Sequence, residues 1–382
     1  MQNPDGLDPI TLLDRLIAID SVNPDLVPGA AGEAEAASFC ADWLGCHGFE
    51  VHRVGAADRP SVVGVVRGSG GGRSLMVTGH MDTVSVAGYD GDPLVPVHRD
   101  GKVFGRGAFD MKSGLAAIMI AAARAVQGKL AGDVIVACVA DEEFGSAGTE
   151  AVLGHFSADA AIVAEPSQLE VTLAHRGFAW FDVVITGRAA HGSMPEQGID
   201  AIAHAGKLIA ALDRLRDRLE SAPRHPSLGH GAVRVSTIRG GGDAATVAAE
   251  CRLTVERRTL PGETLATVQR EQRAILQDLA ETVPGFSFAL RPLVGRSAFE
   301  ANPKWPIVTT LFAEAERVLG ERPATRGEPF WTDAGLFDEA GIPCLLIGVK
   351  GGGAHAASEW VEVESVHQLT EILAGTITAF CA

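Results

Sequence analysis

The chain lacks any excess of positive charge. Against 48 aspartates and glutamates stand 32 lysines and arginines, a formal net charge of −16 in 382 residues. A surface of that sign argues against a phosphate-backbone binder and for a soluble monomer or closed oligomer, so no nucleic-acid partner is expected. Cysteine is sparse and unpaired in pattern: Cys40, Cys46, Cys138, Cys251, Cys344 and Cys381 form no C-x-x-C motif. Most lie in apolar segments and read as reduced thiols, which points to a cytoplasmic address. Long hydrophobic runs are missing too. The best, GLAAIMIAAARAV, is too short to cross a bilayer and carries Arg124. The start MQNPDGLDPI offers neither a basic n-region nor an apolar core, so no signal peptide and no membrane role are expected. No G-x-S-x-G elbow occurs, and no cysteine is placed at a histidine motif, which leaves serine and cysteine hydrolysis without their parts.

What is present is a chain long enough for two domains, with 45 glycines at turns rather than in a low-complexity period. Its first part alternates apolar strands with helix-period segments. TLLDRLIAI and AEAASFCADWLGCHG read as amphipathic helices, and SVVGVVRG and RSLMVTGH as strands paired around the glycine turn GSGGG. Helix, strand, helix and strand follow to DAAIVAE, the mark of an α/β layer with a mostly parallel sheet and helices on its faces. From GFAWFDVVITGRAAHG to FSFALRPLV the pattern is β-α-β-β-α-β, a ferredoxin-like α+β domain inserted into the larger one. The expected boundaries are 1–176 and 293–382 for the α/β domain and 177–292 for the insertion.

In open α/β sheets ligands bind at the carboxyl ends of strands. LMVTG ends in His80 and Asp82, VIVACVA in Asp141-Glu142-Glu143, AAIVA in Glu165, and CLLIGVKGGGA in His355; Asp110 sits at a turn opening a helix. One acid at a strand end is most often a turn or cap residue, and a lone buried histidine is usually a hydrogen-bonded core residue. Five such groups in register are harder to dismiss. Two histidines with several carboxylates suit a Zn²⁺-like ion, or two ions sharing one carboxylate. Metal is then the expected positive charge among the three consecutive acids.

The motifs GHMDTV, GRGAFDMKSG, VADEEFGSAG, VAEPS, AAHGSMPEQGIDAI and GGGAHAASEWV, in that order, resemble the M20 metallopeptidases, which include acetylornithine deacetylase, succinyl-diaminopimelate desuccinylase, aminoacylases and glutamate carboxypeptidases. SVNP and ERRTLPGE fit as well, and the resemblance runs from about Ser21 to Val361. It implies two Zn²⁺ ions, with Co²⁺ or Mn²⁺ as alternatives: His80 and Glu165 on one, Glu143 and His355 on the other, and Asp110 bridging. It further implies a cis peptide after Asp110, Asp82 orienting His80, and Glu142 as the general base that later protonates the leaving amine.

From the inserted domain, His191 would stabilise the carbonyl oxyanion, in many members reaching into a partner subunit, and Arg258 would bind a substrate carboxylate. Gly353 would offer backbone N–H groups to a carboxylate, and Thr332 and Trp331 would line the substrate pocket. Thr246, Ala249 and Met194 depart from the residues usual in the family, Asn, Pro and Arg. The implied activity is hydrolysis of an N-acyl amino acid by a homodimer joined through the inserted domain. A dipeptidase or aminopeptidase, with Asp333 holding a substrate amine, and a non-catalytic binding module are the competing readings.

Overall fold

The computed structural model describes residues 7–382. The opening MQNPDG, part of the segment read above as free of a leader, lies outside the described residues. Two compact units result. The larger runs up to Leu173 and takes in Ala301–Arg326 and Thr332–Ala382, while the smaller comprises Ala174–Glu300 and Gly327–Trp331.

The larger unit is built on a mixed, mostly parallel sheet. Its strands stand in the order Glu50–Ala56, Arg59–Val66, Val134–Val139, Leu75–His80, Ala160–Val163, Cys344–Leu346 and Val171–His175. The four from Val134–Val139 to Cys344–Leu346 are mutually parallel. They are short apolar runs buried on both faces, the composition that a sheet covered by helices requires. The helix Lys112–Ala125 is buried almost all round, packing on the strand Leu75–His80 and on the helices Pro9–Ile17 and Val363–Phe380. Glycine permits its close approach: a Cβ on Gly114 would stand 2.3 Å from the carbonyl oxygen of Ala164.

The expected pairing of Arg59–Val66 with Leu75–His80 does not occur. Val134–Val139 lies between them, antiparallel to the first and parallel to the second. The glycine segment that joins them is therefore no hairpin turn. It packs on the backbone of Ala131 and Gly132, which a Cβ on Gly68 or Gly72 would meet at 2.3 Å.

A second, small antiparallel sheet joins Gly351–Gly352, Trp360–Glu362, Lys102–Phe104 and Val97–Arg99 in that order. Its strands of two or three residues carry too little periodicity to be read from sequence. The sheet corrects the placement of His355, which does not sit at the end of Cys344–Leu346. It lies in the loop between Gly351–Gly352 and Trp360–Glu362, at φ +61°.

In the smaller unit a four-stranded antiparallel sheet runs Ala232–Gly240, Glu250–Thr259, Gly177–Thr186 and Ser287–Arg296, with the helices Ala201–Ser221 and Leu265–Thr282 connecting strands. Chain order is β-α-β-β-α-β. Phe181, Val183, Ile185, Leu253 and Val255 form its core with Leu208, Leu212 and Leu276 of the helices.

Candidate metal centre

Because Val134–Val139, Leu75–His80 and Ala160–Val163 are adjacent and parallel, their carboxyl ends open at one place. His80 ends the second strand and is 1% exposed. Its Nδ1 is 2.9 Å from the carbonyl oxygen of Asp82. A carbonyl only accepts, so Nδ1 carries a proton, and Nε2 faces the site. Around Nε2 stand Asp110 Oδ1 at 3.3 Å, Glu165 Oε1 at 3.6 Å and Glu142 Oε2 at 3.9 Å. The other oxygen of Asp110, Oδ2, is 3.4 Å from His355 Nε2, which is itself 3.1 Å from Glu143 Oε2. One carboxylate thus faces two imidazoles. The peptide between Asp110 and Met111 is cis.

The expectation for Asp82 needs refinement. Its backbone carbonyl holds the His80 ring, while the carboxylate stands 3.5 Å from Nδ1. That carboxylate accepts instead from the backbone N–H groups of Glu142 and Glu143, each at 3.2 Å, and from Asn23 Nδ2 at 2.8 Å. Asp82 therefore sets the backbone from which both glutamates project.

Asp141 turns away from this cluster. At φ +69° its side chain takes Arg59 Nη2 at 2.9 Å and Asn23 Nδ2 at 3.1 Å. Arg59 also binds Glu33 through Nε and Nη2, at 2.9 and 2.7 Å. The positive charge beside the first acid of the triplet is a guanidinium, and only the second and third acids face the histidines. Asn23, Glu33 and Arg59 had no signal in periodicity. Asn23 lies in SVNP, the one of the three with a motif to mark it.

Crowded carboxylates disturb one another. Burial, and then the charge of Glu165, pushes the Glu142 carboxyl well above its usual range. Burial likewise raises Glu165, with Asp110 adding to it and His80 opposing. Burial opposes the His80 imidazolium, but contacts with Asp110 and Asp82 prevail and raise its pKa well above the ordinary value. His355 is pushed up to about 10 by Asp110 and Glu143.

The donor set fits divalent cations. Ligand atoms of His80, Glu142 and Glu165, and again of His80, Asp110 and Glu143, lie within 4.8 Å of one another. Glu165 Oε1 is buried with no hydrogen-bond partner, a costly state unless a cation completes it. Imidazole with carboxylate is the ligand chemistry of Zn²⁺, Co²⁺ and Mn²⁺.

Gly353 adopts φ +78°, and a Cβ there would meet the carbonyl oxygen of Ser358 at 1.9 Å, so glycine is demanded by the turn itself. Thr332, expected to line the substrate pocket, is 1% exposed, with its hydroxyl accepting from the N–H of Ala334. Asp333 is 2% exposed; its Oδ2 accepts from Thr149 Oγ1 at 2.5 Å, while Oδ1 is buried with no hydrogen-bond partner.

In the smaller unit, exposed His191 accepts at Nδ1 from the hydroxyl and the backbone N–H of Ser193, at 2.8 and 3.2 Å. Its Nε2 then carries the proton as a donor. An isolated bridge joins His191 to Thr246, and Met194 is exposed. Arg258 lies on the sheet's second strand, 2.9 Å from Glu256 and over the ring of Phe178. With Arg176, Arg234, Glu256 and Phe330 it lines a cavity of about 380 Å³. Arg257 points the other way, buried between Glu263 and Glu271. Trp331 Nε1 donates to the carbonyl oxygen of Ser297.

Two imidazoles and shared carboxylates gathered at one place, together with the family match that follows, define a metal-dependent hydrolase acting on amide bonds. The sequence signature of Peptidase family M20/M25/M40 matches residues 76–379, and the chain belongs to that family. It is 31% identical to acetylornithine deacetylase of Myxococcus xanthus, over 97% of this chain and 96% of that protein. It is 30% identical to N-formyl-4-amino-5-aminomethyl-2-methylpyrimidine deformylase of Bacillus subtilis, over 90% and 89% of the two chains. Among solved structures, a tripeptidase from Staphylococcus aureus superposes with a TM-score of 0.80 at 21% identity, covering 98% of each chain. No helix among the described residues is long and apolar enough to cross a membrane.

Proposed function

We propose that this chain hydrolyses the amide bond of N-acyl amino acids, as a deacetylase or carboxypeptidase-like enzyme with two Zn²⁺ ions, Co²⁺ or Mn²⁺ serving in their place. The observation that carries the reading is Asp110, with one oxygen toward His80 and the other toward His355. His80 and Glu165 would hold one ion, Glu143 and His355 the second, and Asp110 both. Bound there, the ions supply Lewis acidity that acidifies water and polarises the carbonyl.

Glu142 then takes the proton of the attacking water and hands it to the leaving nitrogen. His191, with Nε2–H free to donate, stabilises the carbonyl oxygen as it gains charge. Arg258 takes the substrate carboxylate. The enzyme is a cytoplasmic homodimer joined through the smaller unit in this reading, and its six free cysteines agree with a reducing compartment. Similarity to acetylornithine deacetylase supports the N-acyl amino acid class.

The test is amine release by the zinc-loaded protein from N-acetyl, N-succinyl, N-formyl and N-aroyl amino acids and simple dipeptides, with and without chelator. Chelator-sensitive cleavage of one acyl class is the expected result. Cleavage of dipeptides alone would overturn the reading in favour of a dipeptidase.

A further inference from the structure

Glu359 is 1% exposed and belongs to no part of the site described so far. Its carboxylate is saturated. Oε1 accepts the backbone N–H groups of Phe109 and Asp110, at 2.8 and 2.9 Å. Oε2 accepts the N–H of Gly107 at 3.0 Å and Arg106 Nη1 at 2.9 Å. The same arginine reaches on through Nη2 to the carbonyl oxygen of Ala356, next to His355, at 3.0 Å. The backbone of Glu359 is held as well, its carbonyl accepting from Gly105 N–H and Tyr89 OH, each at 3.2 Å. Two loops leave the small sheet here side by side, because Phe104 and Trp360 are paired across it. One carries Asp110 and the other His355.

We propose that Glu359 is a positioning residue for the metal centre: its carboxylate ties the Asp110 loop to the His355 loop, so that the cation position formed by Asp110, Glu143 and His355 depends on it. The inference rests on the two-cation reading above. Its chemistry is specific to a carboxylate. Four donors converge on two oxygens, and an amide in its place would turn an NH₂ group toward two of those donors. An apolar side chain of the same volume would leave three backbone N–H groups and the buried Arg106 guanidinium without their acceptor. A saturated carboxylate instead fixes the angle at which Asp110 leaves its loop, and the arginine carries the same constraint to His355. His80 and Glu165 stand on strand ends and do not share it.

The experiment is Co²⁺ titration of the metal-free full chain by equilibrium dialysis and visible absorbance, for the natural protein, Glu359→Gln and Arg106→Gln. The natural protein should bind two ions. Glu359→Gln should lose at least about tenfold in the second ion and clearly less in the first, which shares Asp110 but keeps His80 and Glu165, with an altered Co²⁺ spectrum. In the zinc-loaded variant kcat should fall with KM unchanged. Arg106→Gln, which keeps the three backbone bonds, should show a smaller loss in the same step. Unaltered second-ion affinity in the folded variants overturns the proposal, and so does equal weakening of both ions. Should Glu359→Gln fail to fold, Arg106→Gln decides by the same criteria. A natural protein binding fewer than two ions would sink the two-cation reading and this inference with it, a result distinct from two ions and an indifferent Glu359.

Discussion

Arg59 Nη2 and Asp141 Oδ1 are joined at 2.9 Å, at the point where three consecutive acids leave a core strand. The guanidinium also holds Glu33, whose side chain is fully buried, and Asp25. Removing it strands buried charge, which costs about 3–5 kcal/mol. Arg59→Met should therefore lower the urea midpoint at unchanged slope. Adding Glu33→Gln should recover part of the loss, and purely additive losses would show that the pair is not coupled.

Glu142 projects from a backbone that Asp82 grips, and the two should separate in their effects. Glu142→Gln should leave both ions bound while kcat falls by about 10²–10⁴. Asp82→Ala should weaken metal binding by about 10–100-fold, because the backbone of Glu143 is freed along with that of Glu142. Metal content and turnover, measured on the same samples, distinguish these outcomes.

His191 is exposed and its side chain makes its hydrogen bonds within its own loop, while the bridge to Thr246 is made by backbone that alanine keeps, so His191→Ala should leave the melting temperature unchanged. Loss of one oxyanion donor should lower kcat by about 10²–10³. Arg258→Ala should instead raise KM for substrates with a free carboxylate and spare their carboxamide analogues. Equal losses on both kinds of substrate would refute the carboxylate contact.

The pH dependence of the metal-free protein follows from His355. Asp110 and Glu143 raise its pKa from the ordinary imidazole value of 6.5 to about 10. A raised folded-state pKa contributes stability that is whole below about pH 6.5 and lost as pH climbs through about 10. Glu142 and Glu165, pushed up by burial, work in the same direction. Tm of the metal-free protein should fall across that window. Cation binding displaces those protons, so apparent zinc affinity should rise over the same range and calorimetry should register proton release. A pH-independent affinity would contradict the close pairing of His355 with its carboxylates.

Local chemistry was legible in the chain. A buried parallel strand is a short apolar run, so the abrupt change to acid or histidine at its end marks His80, Glu142, Glu143 and Glu165 without knowledge of its neighbours. The turn at Asp110 announced itself by the helix it opens, and the β-α-β-β-α-β order by alternating periods. Pairing was not legible, because a strand's pattern records which faces are buried and not which strand lies beside it. Hence Val134–Val139 stands where a hairpin was expected, and His355 rides a sheet whose strands are too short to have a period. Asp141 finds Arg59 across 82 residues and Glu359 finds Asp110 across 249. Such partners are selected by burial and by the need to satisfy buried donors, conditions that arise only when the chain has closed on itself. The sequence alone determined the kinds of group at the centre; the tertiary structure decided which acids face the histidines, which are neutralised by arginine, and which hold the loops in place.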